Sequence, residues 1–556
     1  MRKNLLLSLT VALLLSACAS APQGPVKLTI LAINDFHGNL MPPQGGIRVK
    51  DPADPRPTGF KTVTVPAGGA EYLATAVAQL RAANPNHVFV AAGDLIGASP
   101  LLSALFHDEP TVEAMGLMGL EISSVGNHEF DKGSAELLRM QHGGCNPVDG
   151  CKGPSGSFKG ASYTYLAAST IDTNTGKTLL PAYTVRRFEG VPVAFIGLTL
   201  KGTPDMVVPA GVAGLQFRDE AETVNELVPQ LQAQGIEAIV VLIHEGGVPV
   251  GDYNDCPGIS GAIVDIVKHF DKAVDIVISG HTHRAYNCRI DGRLVTSGDK
   301  YGTIVTSIGL LLDRRTHDVI SAVADNHLVR HDTYARDPAQ TALIAGYAKL
   351  AVPLAKRVVG TLGASLPKTT NPAGESPLGQ VIADAQLAAT RKASEGGAQI
   401  AFMNAGGIRT ALLRPDDGQL RYEQLFAVQP FYNNLVTMTL SGAQIVRVLE
   451  QQWKNPAYSR IMEVSKGFAY TWDASRPPGA RVVPGSVMID GEPVEPGTAY
   501  RVTVNSFMAS GGDGYTVFNQ GTGRVTGGMD VDALEAYVAA HPNLQPDSQE
   551  RVSRKE

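Results

Sequence analysis

SVGNHEFD, Ser124 to Asp131, sets an amide, an imidazole and two carboxylates behind a short apolar run. A surface loop accepts such residues without cost, because polar groups are stable in water. They can also bind a metal and handle a proton beside it, provided the rest of the chain adds ligands. Outward from this stretch, it does. VKLTILAINDFHGN, from Val26, carries Asp35 and His37, HVFVAAGD ends on Asp94, and ISSVGNHEFD carries Asn127 and His128. EAIVVLIHEG brings His244, and DIVISGHTH brings His281 and His283. Helix-like stretches such as AEYLATAVAQLRAA and AETVNELVPQLQAQG lie between these clusters. Strands alternating with helices predict an α/β domain with its chemistry at the strand ends. A single Asp or His at a strand end ordinarily caps, turns or faces water. Five such clusters in succession point to one shared site.

Asp35, His37, Asp94, Asn127, His244, His281 and His283 together offer two carboxylates, an amide and four imidazoles. This mixed nitrogen and oxygen set suits Zn²⁺, Mn²⁺, Co²⁺ or Fe²⁺ better than Mg²⁺ or Ca²⁺, which favour oxygen shells. Seven donors exceed what one tetrahedral ion takes and suit two ions sharing a bridging carboxylate. Two ions about 3.5–4 Å apart clamp a phosphate and bring the ionisation of a bound water near neutral pH.

The 556 residues are enough for two or more domains. Hydrophobic residues at 44% and charged residues at 18% describe a globular chain. The formal charge of −6 argues against binding nucleic-acid polymers, which attract a basic face. Arg2, Lys3 and the run LLLSLTVALLLSA form a targeting segment too short for a comfortable membrane span. The run closes on LSAC, Leu15 to Cys18, which resembles the lipobox of bacterial lipoproteins, whose cysteine is acylated. Simple cleavage near ACASA is the rival reading. Ala19 stands where an Asp would signal retention at the inner membrane. The expectation is an exported, periplasm-facing lipoprotein of the outer membrane, anchored through Cys18. Cys145, Cys151, Cys256 and Cys288 remain, and four cysteines allow three pairings in an oxidising compartment. Pairing Cys145 with Cys151 closes a tight loop and leaves Cys256 for Cys288. The alternative, a zinc site, lacks a CxxC knuckle.

The expected organisation is a signal and tether over residues 1–25, a first domain over 26–335 and a linking helix over 336–360. Asp337 caps that helix and Pro338 takes its first position. A second domain is expected over 361–540 and a frayed polar tail over 541–556.

NDFHGN, GD, GNHEFD, IHEG and SGHTH, in this order, resemble the calcineurin-like metallophosphoesterase superfamily. NAGGIR and NSFMASGGDGY resemble the C-terminal domain of the 5′-nucleotidase family, so the likeness spans nearly the whole mature chain. The pattern is most similar to bacterial exported 5′-nucleotidase and UDP-sugar hydrolase enzymes. The resemblance implies an N-terminal metallophosphoesterase domain of sheets flanked by helices, a linking helix, and a C-terminal α/β substrate domain. It implies two divalent ions, Zn, Mn or Co. Asp35, His37, Asp94 and His283 would hold one, and Asp94, Asn127, His244 and His281 the other, with Asp94 bridging. His128 would face the substrate phosphate as an acid or charge stabiliser, and Asp131 would orient it by accepting its other N–H.

In the second domain the resemblance makes Phe431 of QPFYNN and Phe507 the two faces of a nucleobase clamp. From composition alone both would be core. Asp513 would contact the ribose hydroxyls, and Asn404 and Arg409 the base, ribose or phosphate. Two departures fall in the expected nucleoside pocket: Gly374 where many relatives carry Arg, and Tyr432 where they often carry Gly. Rotation of the second domain in the family places a hinge near Lys356–Gly363. The implied reaction is release of phosphate from nucleoside 5′-monophosphates, with other nucleotides and UDP-sugars as further substrates. One alternative is a 2′,3′-cyclic-nucleotide 2′-phosphodiesterase with 3′-nucleotidase activity. A non-catalytic nucleoside-binding or adhesive surface lipoprotein is the alternative of another class, and the intact ligand set argues against it.

Overall fold

The computed structural model describes residues 24–454 and 461–555. Cys18 and the targeting segment lie outside the described residues. In the strand Val26–Ile33, Val26, Leu28, Ile30 and Ala32 enter one apolar layer, while Leu31 and Ile33 enter another. A strand buried on both faces has to be apolar almost throughout, which is why the run reads as continuous. It lies inside a six-stranded mixed sheet, in the order Val319–Leu328, Ile304–Leu312, Val26–Ile33, His87–Ala92, Ile122–Ser124, Thr164–Leu166. Val26–Ile33 pairs parallel with His87–Ala92 and antiparallel with Ile304–Leu312.

A second six-stranded sheet runs Ala285–Ile290, Arg293–Gly298, Ile276–Ser279, Ala238–His244, Val191–Thr199, Tyr183–Phe188. The two sheets share one core, to which Val88 and Val90 contribute from the first and Val193, Phe195, Val240 and Leu242 from the second. Helices cover the outer faces: Ala70–Ala82 and Glu109–Leu117 on one side, Glu220–Gln232 and Ala262–His269 on the other. Both disulfides form, Cys145–Cys151 and Cys256–Cys288. Among the described residues no helix is long and apolar enough to cross a membrane.

The linking helix is Pro338–Ala355, and the Asp337 carboxylate accepts the Gln340 N–H at 2.9 Å. It docks on the first domain: Gln340 Nε2 donates to the Ala114 carbonyl at 2.9 Å and the Tyr347 hydroxyl donates to Glu113 at 3.0 Å. Val358–Thr361 already pairs with Gln419–Arg421 of the second domain. Only Lys356 and Arg357 separate the helix from that pairing.

The second domain is built on a five-stranded sheet, Glu463–Val464, Ile400–Met403, Ala499–Asn505, Asn434–Ser441, Thr522–Met529. The expectation of a frayed tail is corrected here. Val552–Lys555 is a strand parallel to Phe468–Asp473, and Val552 is fully buried. The Arg551 guanidinium donates to Asp384 at 2.7 and 2.9 Å and to Asp547 at 3.1 Å. A short polar segment carries no periodicity of its own, and Asp384 lies 167 positions away.

Candidate active site

Parallel strands deliver the residues that follow them to a common edge, and this gathers the ligand candidates. Asp35 and His37 follow Val26–Ile33, Asp94 follows His87–Ala92, and Asn127 follows Ile122–Ser124. His244 closes Ala238–His244, and His281 and His283 follow Ile276–Ser279. Asp35, His37 and His283 each place a ligand atom within 4.8 Å of the others, and so do Asp94, His244 and His281. Asn127 joins the second group, its Oδ1 3.1 Å from His281 Nδ1. Asp94 Oδ2 lies 2.9 Å from His244 Nε2 and 3.6 Å from His37 Nε2, so it reaches both groups.

Asp35, His37, Asp94, His281 and His283 all adopt left-handed backbone, with φ from 47° to 68°. This conformation costs an L-residue roughly 1–2 kcal/mol. Asp, Asn and His tolerate it better than most. The loops are also tight: a Cβ on Gly126 would collide with Asp94 Oδ1, and one on Gly280 would sit 2.9 Å from Asp35 Oδ2.

The donors are oriented for a cation. His37 Nδ1 faces the Gly97 carbonyl at 2.9 Å and His244 Nδ1 faces the Ala92 carbonyl at 2.8 Å. A carbonyl only accepts, so each Nδ1 carries the proton and each Nε2 presents a lone pair. His244 Nε2 is buried against Asp94 Oδ2. His37 Nε2 and His283 Nε2 face one another at 3.0 Å, with Asp35 Oδ1 3.3 Å from His283 Nε2. Lone pairs of nitrogen and oxygen converging in a buried space fit divalent ions of the zinc and manganese kind. Burial opposes charge on Asp35 and Asp94, but the imidazoles around them, His283 and His37 at Asp35 and His244 and His128 at Asp94, outweigh it. Both carboxyls sit below the usual carboxylate range. Burial, then the charge of His244, pulls His281 down to about 4. At His244 burial acts in the same downward sense, but Asp94 overcomes it and pushes the ring up to about 10, so a cation bound between the two would displace the Nε2 proton to reach the lone pair.

His128 stands beside the ligand candidates. Its Nδ1 lies 2.8 Å from Asp131 Oδ2, and its backbone N–H donates to Asp94 Oδ1 at 2.9 Å. Burial would lower its pKa, but Asp131 and Asp94 outweigh burial and raise it. Its ring also approaches His37 and Asp94 within ligand range, while Nδ1 is engaged by Asp131.

Sequence reasoning misses Glu129, one position further along the same stretch. Its buried carboxylate accepts the backbone N–H groups of Asp94 at 2.9 Å, Leu95 at 2.8 Å and Gly126 at 2.6 Å. One side chain thereby clamps the loop of Asp94 to the loop of Asn127. Asn34 is missed too. Its amide donates to Asp35 Oδ2 at 2.7 Å and to the Asp299 carbonyl at 2.6 Å.

A cavity of about 690 Å³ opens beside the centre. Asn127, His128, Asp131 and His281 of the first domain form part of its wall, and Asn404, Arg409, Phe431, Phe507 and Asp513 of the second domain form another part. Its volume is that of a small-molecule site. Phe431 stacks on His128 with ring centres 5.9 Å apart and planes at 21°, and the Arg409 guanidinium lies 5.9 Å from the Phe431 ring centre. Phe431 and Phe507 are half-buried at the cavity wall, where composition alone would make them core. Asn404 Nδ2 donates to Asp513 Oδ2 at 2.7 Å and Asn404 Oδ1 accepts from Asn505 Nδ2 at 2.9 Å.

Of the two departures, only Tyr432 belongs to this cavity. Its φ is 54°, a conformation glycine adopts without strain, and the ring is held 4.8 Å from Phe426 with the Lys132 ammonium 5.7 Å above it. Gly374 does not line the cavity. Its φ is 103°, and Ile461 fills the space where a side chain would go.

Residues 28–285 match the family described as Calcineurin-like phosphoesterase, and residues 356–520 match the one described as 5'-nucleotidase, C-terminal domain. The endonuclease YhcR of Bacillus subtilis is 33% identical over 521 residues, which cover 93% of this chain and 40% of that protein. A cell wall protein of Listeria monocytogenes is 31% identical over 548 residues, 90% of this chain and 65% of its own. The chain thus spans less than two thirds of either relative. The crystal structure of a 5'-nucleotidase precursor from Thermus thermophilus superposes with a TM-score of 0.76 at 25% identity, covering 95% of this chain and 99% of that one.

Proposed function

Because the chain belongs to the calcineurin-like phosphoesterases that carry a 5′-nucleotidase C-terminal domain, a family of phosphate-ester hydrolases, we propose that it releases phosphate from nucleoside 5′-monophosphates. The observation that carries this reading is the single cavity whose wall runs from His128 and His281 to Phe431, Phe507 and Asp513. Asp35, His37, Asp94 and His283 would hold one divalent ion, and Asp94, Asn127, His244 and His281 a second. When bound, such ions polarise phosphoryl oxygens and acidify water near neutral pH.

The chain's own part is positioning and charge. Phe431 and Phe507 take the faces of the base, a contact worth about 1–3 kcal/mol per base by analogy with single-strand binders. Asp513, steadied by Asn404, accepts the ribose hydroxyls. Arg409 offers its planar fork to the phosphate. His128, its proton favoured by Asp131, donates through Nε2 to a phosphoryl or leaving oxygen as charge builds there. Asp131 keeps the imidazole from turning. Export and a lipid anchor at Cys18 complete the proposal, and two disulfides in the first domain support an oxidising compartment.

Purified protein assayed on 5′-AMP, 3′-AMP, cyclic 2′,3′-AMP and UDP-glucose tests the reading. Turnover should be greatest on 5′-AMP, vanish on chelation and return with Mn²⁺, Co²⁺ or Zn²⁺. Preference for the cyclic nucleotide would select the phosphodiesterase instead, and inert protein with bound metal would select the binding lipoprotein.

A further inference from the structure

A second cleft, of about 1310 Å³, meets the ligand edge at His283, whereas the aromatic cavity meets it at His128 and His281. Arg409 lines both spaces, and Lys300 and Lys368 line only the second. Lys300 lies in the loop after Arg293–Gly298, with its ammonium 4.9 Å from the centre of the Tyr301 ring. Lys368 comes from the second domain. The residue is exposed, and its ammonium donates to the carbonyls of Ile408 at 2.8 Å and Arg409 at 3.2 Å. These bonds hold it on the loop that carries Arg409.

Among the described residues, Lys300, Lys368 and Arg409 make no ion pair with a carboxylate; their polar and ring contacts are to carbonyls and aromatic faces. Asp299, the acid adjoining Lys300, accepts instead from the Thr303 hydroxyl at 3.1 Å. Three cations from two domains thus face one cleft, and of the carboxylates that also line it, Asp252, Asp299 and Glu423, none among the described residues forms an ion pair with them, Glu423 being taken by Lys356. Their mutual repulsion is visible at Lys368, where burial of the ammonium, then Arg409 and Lys300, pull the pKa down to about 8. Like charges gathered without an ion-pair partner repel one another, and an anion that joins them relieves the repulsion.

We propose that Lys300, Lys368 and Arg409 form a second phosphate-binding subsite, reached from the His283 side of the ligand edge. The inference rests on the reading of that edge as the place of the scissile phosphate with a nucleoside in the aromatic cavity. The cleft then takes what lies beyond that phosphate. This is a further phosphate carried by the substrate, as in a nucleoside diphosphate, or a free phosphate ion. Gly374 does not line the cleft, where the second domain contributes Lys368, Arg409 and Arg421.

The test uses the full-length, metal-loaded protein, a Lys300→Ala/Lys368→Ala double variant and a Lys300→Arg/Lys368→Arg control, with melting curves to establish that all three fold. Two contacts to a phosphate predict that the double alanine variant loses about tenfold more kcat/KM on ADP than on 5′-AMP, and that the arginine pair restores the ratio. That outcome assigns the subsite to a phosphate on the substrate. Calorimetric titration with inorganic phosphate, which needs no turnover, reads the other source: affinity about tenfold weaker in the alanine variant, with the ADP to AMP ratio unchanged, assigns it to the free ion. An unchanged ratio together with unchanged phosphate affinity overturns the subsite. Wild-type protein inert on both nucleotides would defeat the catalytic reading alone, since the titration still decides the subsite.

Discussion

Glu129→Ala removes the buried acceptor of four backbone N–H groups, those of Asp94, Leu95 and Gly126 at 2.9, 2.8 and 2.6 Å and, more weakly, that of Ile96 at 3.4 Å. Each donor left buried without an acceptor costs about 1–3 kcal/mol, so the three short contacts alone give about 3–9 kcal/mol before relaxation. Two effects reduce this. Water enters the vacated polar space and satisfies part of the demand. The carboxylate was also held at some cost, since burial and then the charge of Asp94 push its pKa up to about 7. The expected net loss is about 3–5 kcal/mol, large for a single substitution. Because the clamp joins the loops of Asp94 and Asn127, metal affinity should fall as well, by about 10–100-fold, the usual effect of removing a group that orients ligands. Urea unfolding at pH 7 measures the first quantity and metal titration the second. Glu129→Gln, which keeps one acceptor oxygen but turns an NH₂ toward the donors, should fall between parent and alanine variant. An alanine variant within about 1 kcal/mol of the parent, with both ions retained at parental affinity, would refute the clamp.

Three further outcomes are expected. His128→Ala should keep its metals while kcat falls by roughly 10²–10⁴-fold, the range for a positioned acid, and a variant empty of metal would make His128 a ligand instead. Phe507→Ala should raise KM for 5′-AMP while sparing p-nitrophenyl phosphate; equal losses on both with a collapsed melting temperature would return the ring to the core. Glu463 is lifted from its ordinary 4.5 to about 7, chiefly by burial and against the hydrogen bonds from Ser376. The folded state therefore keeps a proton that the unfolded chain releases, and stability is lost as pH rises from 4.5 through about 7. Glu463→Gln should flatten this slope between about pH 5 and 8 in urea unfolding, and parallel slopes would remove Glu463 as its source.

What is legible in the sequence is what local pattern encodes. Asp94 and His281 follow short apolar runs rich in β-branched residues that read as strands, and parallel strands present their ends together, so gathering the ligand candidates needs no long-range knowledge. Glu129 lies inside the most informative stretch and still escapes a reading of motifs, because its partner Asp94 is 35 positions upstream and the contact is to backbone, which no side-chain motif reveals. Val552–Lys555 escapes for a similar reason: its neighbour strand, Phe468–Asp473, is remote in sequence, and a short polar segment shows no alternation until it is paired. Likeness to relatives puts Gly374 in the pocket, whereas its own neighbour is Ile461. Lys300 and Lys368, single lysines in loops, read as solvated until two domains set them in one cleft.

The left-handed backbone at Asp35, His37, Asp94, His281 and His283 has a consequence for how this chain tolerates mutation. At each of these positions glycine relaxes the main chain and deletes the donor in one step. Alanine deletes the donor and keeps the strain, so a glycine variant should unfold later than the alanine variant at the same position, by about 1 kcal/mol. Selection for robustness and selection for turnover therefore oppose each other at single residues. A lineage released from the need for activity would find its easiest gains in stability in the loops of the proposed metal centre, and would lose the centre there first while the surrounding sheets stayed intact.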